Sequence, residues 1–155
     1  MTAVPEPKAP LFSRAVVALN GGSTDSTIVQ LVTSLAHAAT AELIAVHVVE
    51  IDWTLPLDAD IAGNSEDAQR VLDMAEAVAE TSKSRLEPVL LQARDVGAAL
   101  VDEASERGAD LLVVGLPYRK RFGGDFAIGR TIPYVLKNAP CAVWVVREPI
   151  SEESA

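Results

Sequence analysis

The stretch ADLLVVGLPYRKRFGGDFAIGRTIPYVLKNAPCAVWVVR, residues Ala109 to Arg147, decides the fold. It opens with an apolar run, Leu111 to Val114, which reads as a buried strand that stops at Gly115. A loop rich in glycine and arginine follows. A short helical segment through Tyr134 and Leu136 comes next, then a second apolar strand from Cys141 to Val146. Glycine at a strand's end lets a ligand approach the backbone closely, and a helix N-terminus just beyond it attracts anions. Between Leu116 and Arg130 the cations Arg119, Lys120, Arg121 and Arg130 face only Asp125, although the whole chain carries a net charge of −9. A basic loop at a strand-to-helix junction of an acidic protein is the first place to look for a bound phosphate.

Upstream, the same alternation repeats. Arg14 to Asn20 (RAVVALN) is continuously apolar and rich in β-branched residues, which suits a strand buried on both faces. Asn20-Gly21-Gly22-Ser23 breaks it, and Thr24 or Asp25 can cap a helix with Ile28, Leu31, Val32, Leu35 and Ala36 on its inner face. Leu43 to Val49 is a second strand, interrupted only by His47. Glu50 to Ser65 is the least regular part, with Trp53, Pro56 and a run of acids, and loops of that length are often functional. A long helix is expected from about Glu66 to Leu86, with Val71, Leu72, Ala75, Val78, Ala79 and Ser82 on one face and Pro88 marking its end. A short strand, Val89 to Gln92, follows. Asp95 caps a third helix with Val96, Leu100, Val101 and Ala104 inward, and Gly108 ends it. Strands alternating with helices imply right-handed crossovers and a five-stranded parallel sheet with helices on both faces, a Rossmann-like α/β domain. Ligands of such sheets bind beyond the carboxyl ends of the strands where the strand order reverses, here between Asn20 and Gly115.

Composition narrows the function classes. At 155 residues and 49% hydrophobic, the chain fits one domain that buries roughly 70% of its unfolded surface. Residues 1–12 read as a flexible arm with no core to join, 13–148 as the domain, and 149–155 as a polar tail. The net charge of −9 argues against nucleic-acid or anionic-membrane binding. No apolar run approaches the roughly 18 residues of a membrane span, and no apolar signal core is present, so the expectation is a cytoplasmic protein without direct membrane insertion. The single cysteine, Cys141, excludes an internal disulfide and reads as an inert core thiol. His37 and His47 read as structural histidines, and Asp102, Glu103 and Glu106 as an exposed acidic helix face. No metal site is expected.

These stretches resemble the universal stress protein family. The likeness lies in RAVVALNGGSTDS, in His47-Val48-Val49-Glu50, in DVGAALVDEASERGADLLVVG and in the closing PYVLKNAPCAVWVVR. It implies a five-stranded α/β domain, commonly dimeric, that in many members binds ATP or AMP without evident catalysis. Nucleotide-binding members carry glycine, two residues, glycine, nine residues, glycine, then serine or threonine. Gly115 matches the first glycine and Gly129 the last, but Tyr118 replaces the second, one extra residue is present, and Arg130 takes the place of the serine. Asn20 replaces the usual aspartate at the tip of the first strand. Val48 corresponds to the residue lining the adenine pocket, and Val114, Gly115, Gly129 and Thr131 fall on family nucleotide contacts.

The expected nucleotide site therefore comprises Ala18, Asn20, Gly21, Gly22, Val48, Val114, Gly115, Tyr118, Arg119, Arg121, Gly129, Arg130 and Thr131. Arg130 adds a full charge and a bidentate fork where a hydroxyl is usual, and Tyr118 can stack on a base. RFGGDFAIG followed by PYVLKNAPC is similar to the version of the domain fused to amino-acid-permease-type transporters. That sub-pattern implies a membrane transporter partner and a regulatory ligand such as cyclic di-AMP. Mg2+ is expected only through the nucleotide. The family likeness also implies a homodimer formed along the last strand, Cys141 to Val146, which would remove an apolar edge.

Other readings stay open. Asn20 to Ser26 nearly matches the pyrophosphate-binding loop of ATP pyrophosphatase enzymes, with one extra residue and asparagine for the leading serine, but reads first as an ordinary strand-to-helix turn and next as a family-type nucleotide contact. A ligand-free interaction module is a further alternative. A nicotinamide fold with Glu50 as the ribose acid fails for want of Gly-x-Gly-x-x-Gly, and a P-loop is absent.

Overall fold

A computed structural model describes residues 11–59, 64–118 and 128–150, with the side chains of 64 and 65 excepted. In chain order the elements are β1 (Arg14–Leu19), α1 (Asp25–Ala39), β2 (Glu42–Glu50), α2 (Asn64–Thr81), β3 (Leu86–Ala93), α3 (Val96–Glu106), β4 (Leu111–Leu116), α4 (Thr131–Asn138) and β5 (Ala142–Arg147). The strands form one five-stranded sheet in the order β3-β2-β1-β4-β5, every pairing parallel. The doubly covered parallel sheet expected from the alternation is what the chain forms.

The central strands explain their own apolar runs. Side chains alternate across a strand, so Ala15, Val17 and Leu19 of β1 and Leu111 and Val113 of β4 enter one core, with Ile28, Val29 and Val32 of α1. Val16 of β1 and Leu112, Val114 and Leu116 of β4 enter the opposite core, with Leu100 and Ala104 of α3 and Ile132 and Val135 of α4. Both faces are covered, so beyond exposed Arg14 at its start no position of β1, and none of β4, carries a polar side chain.

Several expectations are corrected. Phe12 is not part of a free arm: it is 2% exposed and packs edge-on against Trp144, with ring centroids 5.8 Å apart. Trp144 thus points into the chain's own core. The second helix ends at Thr81 rather than near Leu86, and Lys83 takes a left-handed φ of 54° in the turn that follows. Pro88 lies inside β3, opposite Ala45. It is tolerated because β3 is a sheet edge, where a missing N–H deprives no neighbour. Leu31 is 41% exposed rather than inward. Glu103 is buried instead of joining an acidic face, because Arg107 Nε reaches its Oε1 at 2.8 Å and also bridges to Glu87 at 2.7 Å. His37 is exposed in the last turn of α1, where its ring suits the helix's negative end. His47 is satisfied as expected: its Nδ1–H donates to the Leu19 carbonyl at 2.9 Å. Cys141 is half-buried, and burial pushes its thiol pKa up, which keeps it protonated and unreactive.

Candidate functional site

Strand order reverses between β1 and β4, and a cleft of about 330 Å³ opens over their carboxyl ends on the α3 and α4 side. Its floor is Ala18, Leu19, Asn20, Val114, Gly115 and Leu116. Val48 of β2 and Val96 and Leu100 of α3 form one wall. Pro117 and the segment Ile128 to Ile132 form the other. Apolar walls with a few polar groups at the rim, at this volume, suit a small flat ligand.

Of the residues singled out in the sequence, the cleft brings together Ala18, Asn20, Val48, Val114, Gly115, Gly129, Arg130 and Thr131. Gly21, Gly22 and Tyr118 are not among its lining residues. Arg119 and Arg121, with Lys120 and Asp125, lie outside the described residues. Sequence reasoning missed Leu19, Asp25, Leu116, Pro117, Ile128 and Ile132. It had assigned Val96 and Leu100 to the core alone. The apolar spacing of α3 carried that signal, since its first turn rises above the sheet's end.

The β1–α1 turn is held by Asp25, not capped by it. This side chain is 3% exposed, and its carboxylate accepts the Asn20 N–H at 3.1 Å and the Gly21 N–H at 2.8 Å. The Gly22 N–H donates to Asn20 Oδ1 at 2.7 Å. Burial raises the Asp25 pKa above its usual 3.8, while the two amides and the nearby His47 pull it back down. Three successive amides are therefore engaged within the turn. A pyrophosphate loop of the enzyme type needs such amides turned outward, so the geometry disfavours that alternative.

Gly115 does not end β4, which continues to Leu116. A Cβ on it would lie 2.5 Å from Ile28 Cδ1 and 2.8 Å from Thr24 Oγ1. Its smallness thus admits α1 on one face, while its backbone lines the cleft. Gly129 has φ +76° with open space around it, so this glycine serves backbone conformation just ahead of α4.

Arg130 is the N-cap residue of α4 and makes no side-chain cap bond. Instead its Nη2 meets Glu50 Oε1 at 2.6 Å. The expectation that its positive end simply awaits an anion is corrected to that extent. Tyr118 lies beneath the Arg147 guanidinium, 5.2 Å from ring centroid to Cζ, and its N–H donates to Glu148 at 2.9 Å.

A larger cleft, about 510 Å³, lies at the opposite end of the sheet among Arg14, Glu42, Arg85, Glu87 and Arg107. Ion pairs cross it, Arg14 to Glu42 at 3.0 Å and Arg107 to Glu87 at 2.7 Å. Size alone does not make it the site, because ligands of such sheets bind at the carboxyl ends. Among the described residues no group of three or more His, Cys, Asp or Glu is placed to hold a metal, and no helix is long and apolar enough to cross a membrane.

A sequence model of the universal stress protein family matches residues 11–147. The sensor protein KdpD of Mycobacterium tuberculosis is 30% identical over 142 residues, covering 92% of this chain but 15% of its own length. The chain therefore spans a small part of the curated relatives it matches. Among solved structures, a universal stress protein in complex with cAMP superposes with TM-score 0.67 at 21% identity, covering 89% of this chain and 98% of that one. The universal stress protein of Archaeoglobus fulgidus in complex with dAMP gives 0.68 at 18%, covering 88% and 98%.

Proposed function

The chain belongs to the universal stress protein family, and from that premise we propose that it is a non-catalytic regulatory protein that binds an adenine nucleotide in the cleft between Asn20 and Gly115. The carrying observation is that cleft, apolar where a base would lie and polar at Arg130 and Thr131. Neighbours of the same fold in complex with cAMP and dAMP support an adenine ligand. In this reading Val48 packs on the base, and Arg130 turns from Glu50 to a phosphate. ATP, AMP and cyclic di-AMP are the ligands to test, with Mg2+ carried only by the phosphates. Titration calorimetry with the three should give heat for at least one, and silence at millimolar ligand would overturn the proposal. Prolonged incubation with ATP should release no product, whereas many turnovers would establish an enzyme.

Arg130→Ala should weaken binding about tenfold, the lower end for a charge-assisted hydrogen bond because Glu50 is released in exchange. The same titration checks this, and equal affinity would remove Arg130 from the site.

We place the protein in the cytoplasm and assign signalling to contacts with a partner. The match to a sensor protein over a fraction of its length supports a role of that kind. The transporter-type sub-pattern offers a membrane transporter as one such partner. Self-association through β5 belongs to the same proposal. β5 is a sheet edge, and exposed Val145 on it adjoins an α4 that exposes Leu136 and Tyr134. Light scattering at micromolar concentration should give the mass of a dimer, and a monomer's mass would exclude it.

A further inference from the structure

Glu50 and Arg130 come from elements 80 residues apart in sequence, yet their side chains meet at 2.6 Å. Val48 and Glu50 lie two positions apart on β2 and so face the same side of the sheet. Val48 lines the cleft wall, and Glu50 therefore stands at its rim, beyond the wall's end. Arg130 is the only cation among the described residues that line the cleft, and Asp25 is its only acid there. A phosphate that reaches Arg130 either takes its donors from the Glu50 carboxylate or shares the guanidinium with it, and in both cases lies beside it.

We propose that Glu50 sets how many phosphate charges the cleft tolerates. The proposal rests on the nucleotide reading above and deepens it. With the cleft empty, Glu50 holds Arg130 across the rim. When a phosphate takes Arg130 over, the carboxylate stays within a few ångströms of it and repels each added charge. A nucleoside meets no such repulsion, a monophosphate meets some, and a triphosphate meets most. Both partners are largely exposed, with side-chain accessibilities of 77% for Arg130 and 50% for Glu50. The discrimination is accordingly screened and modest.

The test is Glu50→Gln, titrated beside the parent with adenosine, AMP and ATP at low salt. Glu50 is half exposed, and the amide keeps its shape, so the variant should melt with the parent. The ATP affinity should rise about tenfold, the AMP affinity about threefold, and the adenosine affinity not at all. The gain for ATP should shrink as salt is raised. Binding of ATP by the variant where the parent shows none gives the same support. A loss of adenosine affinity would mean that Glu50 holds the sugar, and would overturn the proposal. Equal gains for AMP and ATP, or no change in either, overturn it while the nucleotide reading stands. Silence of both proteins toward all three ligands overturns this inference, and silence toward cyclic di-AMP as well removes the nucleotide reading.

Discussion

Gly115→Ala should lower the unfolding free energy by about 1–3 kcal/mol, the usual cost of forcing a methyl group into a filled interior. The new Cβ would lie 2.5 Å from Ile28 Cδ1 and 2.8 Å from Thr24 Oγ1, both closer than real contacts allow. Neither neighbour has room to retreat. Ile28 is fully buried in the core beneath α1, and Thr24 is 3% exposed at the start of that helix. The strain should lift α1 from the sheet. The cleft lies on the other face, among Val114, Leu100 and Ile132, so the methyl group does not enter it. Urea unfolding of the variant should show the earlier midpoint, while nucleotide titration well below that midpoint should show affinity within a few-fold of the parent. The opposite pattern, with stability kept and affinity lost, would return Gly115 to the role of a glycine that makes room for the ligand.

Gly115 also shows how far the sequence could be read. Its position after a run of apolar residues marked the end of a central strand and the neighbourhood of the cleft. Which side of the strand required the glycine depended on α1, some ninety residues earlier in the chain. The same limit runs through the other corrections. Continuous apolar runs announced buried parallel strands, and the period of α1 and α3 announced helices, because those signals are local. Pro88 looked like a helix terminator since proline cannot sit inside a helix or a central strand. That β3 is an edge was not local information. Phe12 looked unattached because its partner, Trp144, is at the far end of the chain. Glu103 fell at an exposed-looking helix position, and only its bonds to Arg107, itself tied to Glu87 on β3, make its burial affordable. The cleft's apolar lining was legible from the strand tips. Its charge arrangement was not, since Glu50 and Arg130 meet only through the fold.

Asp25→Ala should cost about 1–3 kcal/mol and loosen the tip of β1. Two charge-assisted hydrogen bonds disappear, from the Asn20 and Gly21 amides at 3.1 and 2.8 Å, each worth about 1.5–3 kcal/mol when lost alone. The sum is smaller for two reasons. Asn20 is exposed, so water can take over its amide, and removing a buried carboxylate recovers its desolvation cost. Gly21 is the residue that suffers, because its φ of 81° is held by that second bond. The pH dependence separates the two effects. Burial raises the folded-state pKa of Asp25 above 3.8, so between 3.8 and the raised value the folded protein binds more protons than the unfolded chain. Over that window stability falls as pH rises, and above it the contribution stays at its lower level. Asp25→Asn keeps the shape and lacks the titration. Parent and Asp25→Asn should therefore differ most in the parent's favour near pH 4, and the parent's advantage should shrink as pH rises through the raised pKa to neutrality. Thermal or urea unfolding of both proteins across that range reads the difference. A parent that gains on Asp25→Asn with rising pH would mean that the amides outweigh burial and hold the carboxylate below its usual range.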